Sequence, residues 1–207
     1  MEKSESVFRN LFIGRTINTV FQSNTWLLES HNEIWLIDCG DIAPLLPFLK
    51  TDGGLREVKG VLISHAHFDH IYGLNKLLRL FPTTLIYTNV CGRKALLNDK
   101  LNLSHYHDSP FSLKSAENIK ILQDGDEFIL FNSIKAHVYA TPGHHDSCLT
   151  YLIGDYLFTG DAYIPGTKVV TVLPGGDKVL ASQSVKRILQ LSKGHIICPG
   201  HGDIFIP

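Results

Sequence analysis

A six-residue segment carries four side chains that can bind a metal ion. Its sequence is HAHFDH, from His65 to His70. Because His65 and His67 are two residues apart, the end of a strand can present both rings on one side. Asp69 and His70 follow where the chain turns into a predicted helix. One ion cannot take all four side chains from so short a loop. We therefore expect the first two histidines to bind one ion and the remaining pair to bind a second.

Three later residues, each in a glycine-containing turn after a predicted strand, can complete both sites. They are His144, Asp161 and His201. His144 would join the first ion and His201 the second, and the two oxygens of Asp161 could bridge the ions. Bridged ions about 3.5–4 Å apart are typical of hydrolytic sites with two metals.

Each of the three later residues alone has a plainer interpretation, as a turn, cap or packing residue. The six-residue cluster does not, because burying three imidazoles and a carboxylate without a metal ion is costly. Five imidazoles and two carboxylates suit zinc, iron or manganese. We expect two divalent ions, with zinc as the first choice.

Composition sets limits on the class of protein. The 207 residues favour one domain over residues 1–207, with 44% hydrophobic and 19% charged residues. The net charge of -1 and the absence of a basic stripe argue against a nucleic-acid partner. No apolar run approaches the roughly 20 residues of a membrane span. The N-terminus lacks the apolar core of a secretory signal, and the four cysteines form no CxxC pair. We expect a cytoplasmic protein with a small-molecule substrate; the oligomeric state stays open.

The predicted elements place the metal-binding residues at the ends of strands. Strands over 25–28 and 33–37 are joined by Ser30-His31-Asn32, a hairpin signal, and prolines 44 and 47 open a helical stretch toward Lys50. The apolar spacing predicts a helix from Ile71 to Leu80. The remaining predicted elements are a strand over 61–64, a strand over 85–87, a helix over 91–97, strands over 119–122, 127–130, 135–140, 148–153 and 156–159, a helix over about 178–191 and a strand over 196–198. Two groups of strands, each followed by helices, indicate two packed sheets with helices outside.

Five motifs in this order resemble the metallo-β-lactamase fold superfamily. They are LIDCG (36–40), SHAHFDH (64–70), TPGH (141–144), FTGD (158–161) and PGHG (199–202). Within the superfamily, the chain is most similar to the glyoxalase II-like (hydroxyacylglutathione hydrolase-like) branch. The resemblance implies an α+β fold, a four-layer αβ/βα sandwich, and the ligand roles given above. It also implies that Asp38 braces the histidine loop and fixes an imidazole orientation.

Departures from the pattern of particular relatives narrow the function. The true β-lactamases of this fold generally lack a bridging aspartate, which disfavours lactam hydrolysis here. Flavodiiron relatives carry glutamate in place of the second histidine of the cluster, so His67 argues against them. Full-length glyoxalase II has a helical extension with basic residues for glutathione. Because the sequence ends six residues after His201, we do not expect glutathione specificity.

The resulting hypothesis is a metallo-hydrolase acting on acyl thioesters or related small esters. A hydroxide that bridges the ions would attack the acyl carbonyl, and Asp69 would orient it and accept its proton. Tyr163, Tyr106, His105 and His107 are candidate substrate contacts, although each could be an ordinary surface or packing residue. Three alternatives stay open: a persulfide dioxygenase with one iron, a small-molecule lactonase or phosphodiesterase, and a non-catalytic metal-binding module.

Overall fold

The computed structural model of the protein describes residues 4–5, 11–31, 33–51, 54–132 and 134–207. The described strands are β1 (Ser4–Glu5), β2 (Phe12–Ile17), β3 (Asn24–Ser30), β4 (Glu33–Ile37), β5 (Lys50–Thr51), β6 (Gly54–Leu55), β7 (Val58–Leu62), β8 (Leu85–Thr88), β9 (Ile119–Ile121), β10 (Glu127–Phe131), β11 (Ile134–Ala140), β12 (Leu149–Ile153), β13 (Tyr156–Gly160) and β14 (Ile196–Pro199). The described helices are α1 (Leu46–Leu49), α2 (Phe68–Ile71), α3 (Leu74–Leu80), α4 (Val90–Leu96) and α5 (Lys178–Leu191), with a short 3₁₀ helix at Ser104–Tyr106.

The strands form two large sheets. The first has the order β1-β2-β3-β4-β7-β8-β9 and the second the order β10-β11-β12-β13-β14, while β5 and β6 pair separately. In the first sheet β4, β7, β8 and β9 are parallel, so their carboxyl ends lie at one edge. In the second sheet β11 runs antiparallel to β12 and β12 antiparallel to β13, which is parallel to β14. The carboxyl ends of β11, β13 and β14 therefore also share an edge.

Three apolar clusters divide the molecule into four layers. Strand β4 illustrates the division, because its side chains alternate between two of them. Ile34 and Leu36 pack with α1, α2 and α3 in one cluster, whereas Trp35 and Ile37 pack against the second sheet in another. The third cluster lies between the second sheet and α5 and includes Ile188. The expected αβ/βα sandwich is confirmed.

Most predicted elements are found within one or two residues of their expected bounds. Asn32, which belongs to the predicted β3–β4 hairpin turn, lies outside the described residues. The single helix predicted over Ile71–Leu80 was wrong, because α2 ends at Ile71 and α3 begins at Leu74. The amide of Gly73 donates to the carbonyl of Cys39 at 2.9 Å, outside the helical hydrogen-bond pattern.

Two strands of the first sheet, β1 and β2, were not predicted. Strand β2 pairs with β3 over six residues, but its sequence FIGRTI places Gly14 and Arg15 in the middle of the apolar pattern. Its position is set by pairing rather than by intrinsic preference. Among the described helices, none is both long and apolar enough to cross a membrane.

Candidate metal centre

The two sheets meet at the edge where their parallel strands end. The amide of Leu149 donates to the carbonyl of Ser64 at 2.7 Å, and the amide of Asn24 donates to the carbonyl of Gly200 at 2.7 Å. These bonds join segments of different sheets. All seven predicted ligands lie in the segments that follow β7, β11, β13 and β14 at this edge, with Asp69 and His70 in α2.

Three buried histidines form what we call the imidazole group: His65, His67 and His144. One ring nitrogen of each lies within 4.8 Å of the others. The Nε2 atom of His144 is 2.9 Å from the Nδ1 atom of His67. These three side chains were predicted to bind one ion, and the fold brings them together.

Asp69, His70 and His201 form a second cluster, which we call the carboxylate group. Their ligand atoms also lie within 4.8 Å of one another. The Oδ2 atom of Asp69 is 3.4 Å from Nε2 of His70 and 3.3 Å from Nε2 of His201. The predicted second set of ligands is therefore also assembled.

Asp161 lies between the two groups. One carboxylate oxygen, Oδ2, is 3.7 Å from Nε2 of His144 and 3.4 Å from Nε2 of His201. The other, Oδ1, is 3.6 Å from Nε2 of His70. This placement is the one that a bridging carboxylate requires.

Polar atoms without partners indicate that the site fits metal ions. Nε2 of His65, Nε2 of His70 and Oδ1 of Asp161 are buried and accept or donate no hydrogen bond. Leaving such atoms unpaired costs about 1–3 kcal/mol each. Ligand atoms 2.0–2.1 Å from one tetrahedral ion would be about 3.3–3.4 Å apart, close to the separations around both aspartates. The residues present thus fit divalent metal ions.

A hydrogen-bond chain through Asp38 connects the two groups. Its Oδ2 atom accepts from Nδ1 of His70 at 2.9 Å and from the hydroxyl of Ser64 at 2.6 Å. The Ser64 oxygen in turn lies 3.2 Å from Nδ1 of His65 and can accept a hydrogen bond from the Nδ1 proton of that ring. With Nδ1 protonated, both rings present the lone pair of Nε2 to the centre. Asp38 is thus placed for the bracing role that the resemblance implied.

Asp38 holds this position in the left-handed backbone region, with φ of 61°. Its Oδ1 atom also accepts from the amide of Ser64 at 2.7 Å. An aspartate tolerates this region better than most residues do. The turn after β4 therefore aims the carboxylate at the loop after β7.

The pKa shifts of His65 and His67 are opposite in sign to those of His70 and His201. In the imidazole group, burial and neighbouring imidazoles lower the pKa of His67 to about 3 and also lower the pKa of His65. In the carboxylate group, burial alone would lower the pKa of His70, but Asp69, Asp161 and Asp38 outweigh it and raise the pKa to about 9. Burial likewise opposes protonation of His201, yet its hydrogen bonds to Asp161 and Asp69 raise its pKa to about 10.

Gly143 brings His144 against α5. Its φ is 130°, and a Cβ there would lie 2.1 Å from the amide nitrogen of Ala181. A side chain at this position would therefore push the helix away. The Nδ1 atom of His144 donates to the carbonyl of Val170 at 2.9 Å, which fixes the ring and leaves Nε2 facing the other ligands.

Comparison with known proteins identifies the family. The model of the metallo-beta-lactamase superfamily matches residues 18–201. The chain belongs to the metallo-beta-lactamase superfamily. This confirms the resemblance drawn from the five motifs.

Individual relatives share different fractions of their length with this chain. A hydroxyacylglutathione hydrolase from Citrobacter koseri is 28% identical over 183 residues, which cover 87% of this chain and 62% of the relative. The chain thus spans less than two thirds of that protein. The crystal structure of the BLEG-1 B3 metallo-beta-lactamase has a TM-score of 0.80 at 24% identity, covering 93% of each chain, and shares the fold. The structure of TTHA1623 in a di-iron-bound form has a TM-score of 0.78 at 25% identity, covering 93% of this chain and 94% of that one.

His145 is a site residue that the sequence analysis missed. Its buried ring lies 4.8 Å from the ring of His67, edge to face. Its Nδ1 atom is 2.6 Å from the hydroxyl of Ser147, whose oxygen accepts from the amide of Ala66 at 3.0 Å. The side chain therefore supports the loop that carries the imidazole group. The histidine doublet at 144–145 was the available signal, but only its first member follows the superfamily motif.

The predicted substrate contacts have different surroundings. Tyr163 is half-buried against the α5 cluster and lines a cleft beside that helix. His105 pairs with Asp99 at 2.9 Å, and Tyr106 is 81% exposed. The adjacent His107 stacks on Phe68 at 4.7 Å between ring centroids, so it comes nearer to the histidine loop. Contact with substrate remains a prediction for all four residues.

Proposed function

We propose that this protein is a metal-dependent hydrolase that binds two divalent ions and cleaves acyl thioesters or related small esters. The observation that carries the proposal is the position of Asp161, within 4 Å of a histidine nitrogen from each ligand group. The relationship to a hydroxyacylglutathione hydrolase supports a thioester as substrate.

Each ion would be held by one of the two groups, with Asp161 shared between them. The imidazole group would hold one ion through three histidines, and the carboxylate group would hold the other. Zinc is our first choice, and the di-iron-bound relative makes iron the first competitor. When bound, two such ions would supply Lewis acidity and lower the pKa of a water molecule toward neutrality, which would provide a nucleophile.

The side chains around the ions have defined tasks. Burial raises the pKa of Asp69, but His70 and His201 outweigh burial and leave the pKa below its usual value. Its carboxylate is therefore ionised and can accept a proton from the nucleophile. Asp38 and the Val170 carbonyl keep His70 and His144 in fixed orientations. No serine or cysteine of the chain has to act as a nucleophile in this reaction.

Metal analysis and Asp161→Ala test the proposal together. Purified protein should contain two ions per chain and should hydrolyse at least one member of a panel of thioesters, lactones and phosphodiesters. Asp161→Ala should lower turnover by 10³-fold or more while the circular dichroism spectrum is retained, with Asp203→Ala as a surface control. Survival of turnover in Asp161→Ala would exclude the shared-carboxylate arrangement. One tightly bound iron per chain, with no hydrolysis, would instead support the dioxygenase alternative.

A further inference from the structure

A cleft of about 430 Å³ runs along α5, outside the two ligand groups. One wall is formed by α5 residues spaced on one helical face, including Ala181 and Val185. The opposite wall belongs to the segment after Asp161 and includes Tyr163 and Val169. Pockets of this size hold small organic ligands. The apolar side chains suit a ligand with an apolar body.

Three lysines give this cleft a positive charge. Lys168, Lys178 and Lys186 line it, and none of its lining residues is acidic. From Ala162 to Lys193 the sequence contains one acidic residue, Asp177, and its carboxylate accepts from the amides of the first turn of α5. The lysine and arginine ion pairs within the described ranges involve other residues. The three ammonium groups are therefore available to an anion.

The cleft adjoins the candidate metal centre. Thr167, Lys168 and Val169 line both the cleft and a small cavity that is also lined by His144 and Asp161. The two spaces are thus separated by no more than this segment. The next residue, Val170, accepts the hydrogen bond from His144. A ligand in the cleft would lie beside the ligand groups.

We infer that this lysine cleft binds the part of the substrate that is remote from the scissile bond, and that this part has an apolar body ending in an anionic group. The inference rests on the proposed function for the location of the scissile bond. A carboxylate and a phosphate share the required charge. The substrate class is then a thioester whose thiol or acyl portion ends in one of these anions.

Binding to the full chain can be measured without metal or turnover. Two fluorescent probes share the same rings: 8-anilinonaphthalene-1-sulfonate is anionic, and N-phenyl-1-naphthylamine is neutral. Each is titrated against the parent protein, against the variant carrying Lys168→Gln, Lys178→Gln and Lys186→Gln, and against a control carrying Lys76→Gln, Lys114→Gln and Lys120→Gln. The control removes the same charge from surfaces outside the cleft.

The cleft variant should lose about tenfold more affinity for the anionic probe than for the neutral probe. The expected difference is no larger because each exposed charge pair contributes little binding free energy. The control variant should show no such difference. Equal losses for both probes, or the same loss in the control, would overturn the inference.

Kinetics with matched thioesters then distinguish the anion and test the link to catalysis. The acetyl thioesters of N-acetylcysteamine and N-acetylcysteine differ by one carboxylate, and those of pantetheine and 4′-phosphopantetheine differ by one phosphate. The parent protein should prefer the anionic member of one pair by about tenfold in kcat/KM, and the cleft variant should reduce that ratio toward one. Equal rates within both pairs would overturn the inference but keep the proposed function. No hydrolysis of any thioester would count against the proposed function, while the probe titration still decides whether the cleft binds anions.

Discussion

The imidazole group and the carboxylate group are neighbours with opposite electrostatics. His65, His67 and His144 are buried together, and burial and neighbouring imidazoles lower the pKa of His65 and of His67. His70 and His201 instead face Asp69 and Asp161, which favour their protonated forms. Near neutral pH His65 and His67 present free lone pairs, whereas His70 and His201 must release protons before they can hold an ion. The comparison teaches that one six-residue segment can supply side chains to two groups whose histidines favour opposite protonation states.

The largest expected effect comes from removing one histidine from each group. His67→Ala and His201→Ala should each lower turnover by about 10³-fold if both ions take part in the reaction. Each variant should also lose one of two ions, measured by elemental analysis of dialysed protein. His137→Ala is the matched control, because that residue pairs with Glu127 outside the site.

If His201→Ala retained full activity with one ion, the carboxylate group would not be needed for catalysis. In that case only the imidazole group would be a catalytic site. His201 is suited to this test, since its side chain is 26% exposed and its removal leaves little cavity.

Asp38→Asn is expected to have the next largest effect. The new amide nitrogen would face either the amide of Ser64, in place of Oδ1, or both Nδ1 of His70 and the hydroxyl of Ser64, in place of Oδ2, and all three groups are donors. Loss of such supporting bonds typically reduces metal affinity by about 10–100-fold. The carboxylate group should lose more than the imidazole group, because His70 contacts Asp38 directly and His65 does so through Ser64. Competition with a metal indicator measures both affinities, and equal losses would contradict this ranking.

A smaller effect, confined to the imidazole group, is expected from His145→Gln. His145 packs against His67 and contacts Ser147, but it has no contact of this kind with the carboxylate group. We expect the substitution to reduce the affinity of the imidazole group for its metal ion roughly three- to tenfold. This is less than the loss usually caused by removing a direct hydrogen bond to a ligand. The same indicator titration checks this. If the affinity for both ions decreased, His145 would support the whole edge of the two sheets rather than one loop.

The convergence of the seven predicted ligands could be predicted from the sequence because their side chains follow strand ends. Regular strands fix where such residues gather, and the resemblance supplied the pairing of the sheets. His145 and the split between α2 and α3 were not accessible in this way. Both depend on contacts between distant segments, such as the bond from Gly73 to Cys39, and local apolar periodicity carries no information about those.

The lysine cleft also could not be predicted from the sequence. Lys168 lies on a loop, while Lys178 and Lys186 are eight residues apart on α5. A charge run would have been visible, but these lysines come together only when the loop folds against the helix. The net charge of the whole chain is close to zero and therefore gave no indication of this local positive surface.

The metal-free protein should lose stability on both sides of neutral pH, each side for a different group. The pKa of His67 is about 3 when folded and near 6.5 when unfolded, so the stability it contributes is present above pH 6.5 and decreases as the pH falls. The pKa values of His70 and His201 are about 9 and about 10 when folded. Their contribution is full below pH 6.5 and is lost as the pH rises through 9 and 10.

Urea unfolding of chelator-treated protein between pH 4 and pH 10 measures these two limbs. His67→Gln should flatten the acid limb between pH 4 and 6.5, and His201→Gln should flatten the alkaline limb, with His137→Gln changing neither. Because His201 is partly exposed, solvent screening should make its effect on stability smaller than that of any other substitution proposed for the two groups. If the free energy of unfolding of His67→Gln and of His201→Gln varied with pH in the same direction, the proposed electrostatic difference between the two groups would be wrong. Restoration of a flat profile by added metal would tie that distinction to ion binding, since a bound ion excludes the proton from both.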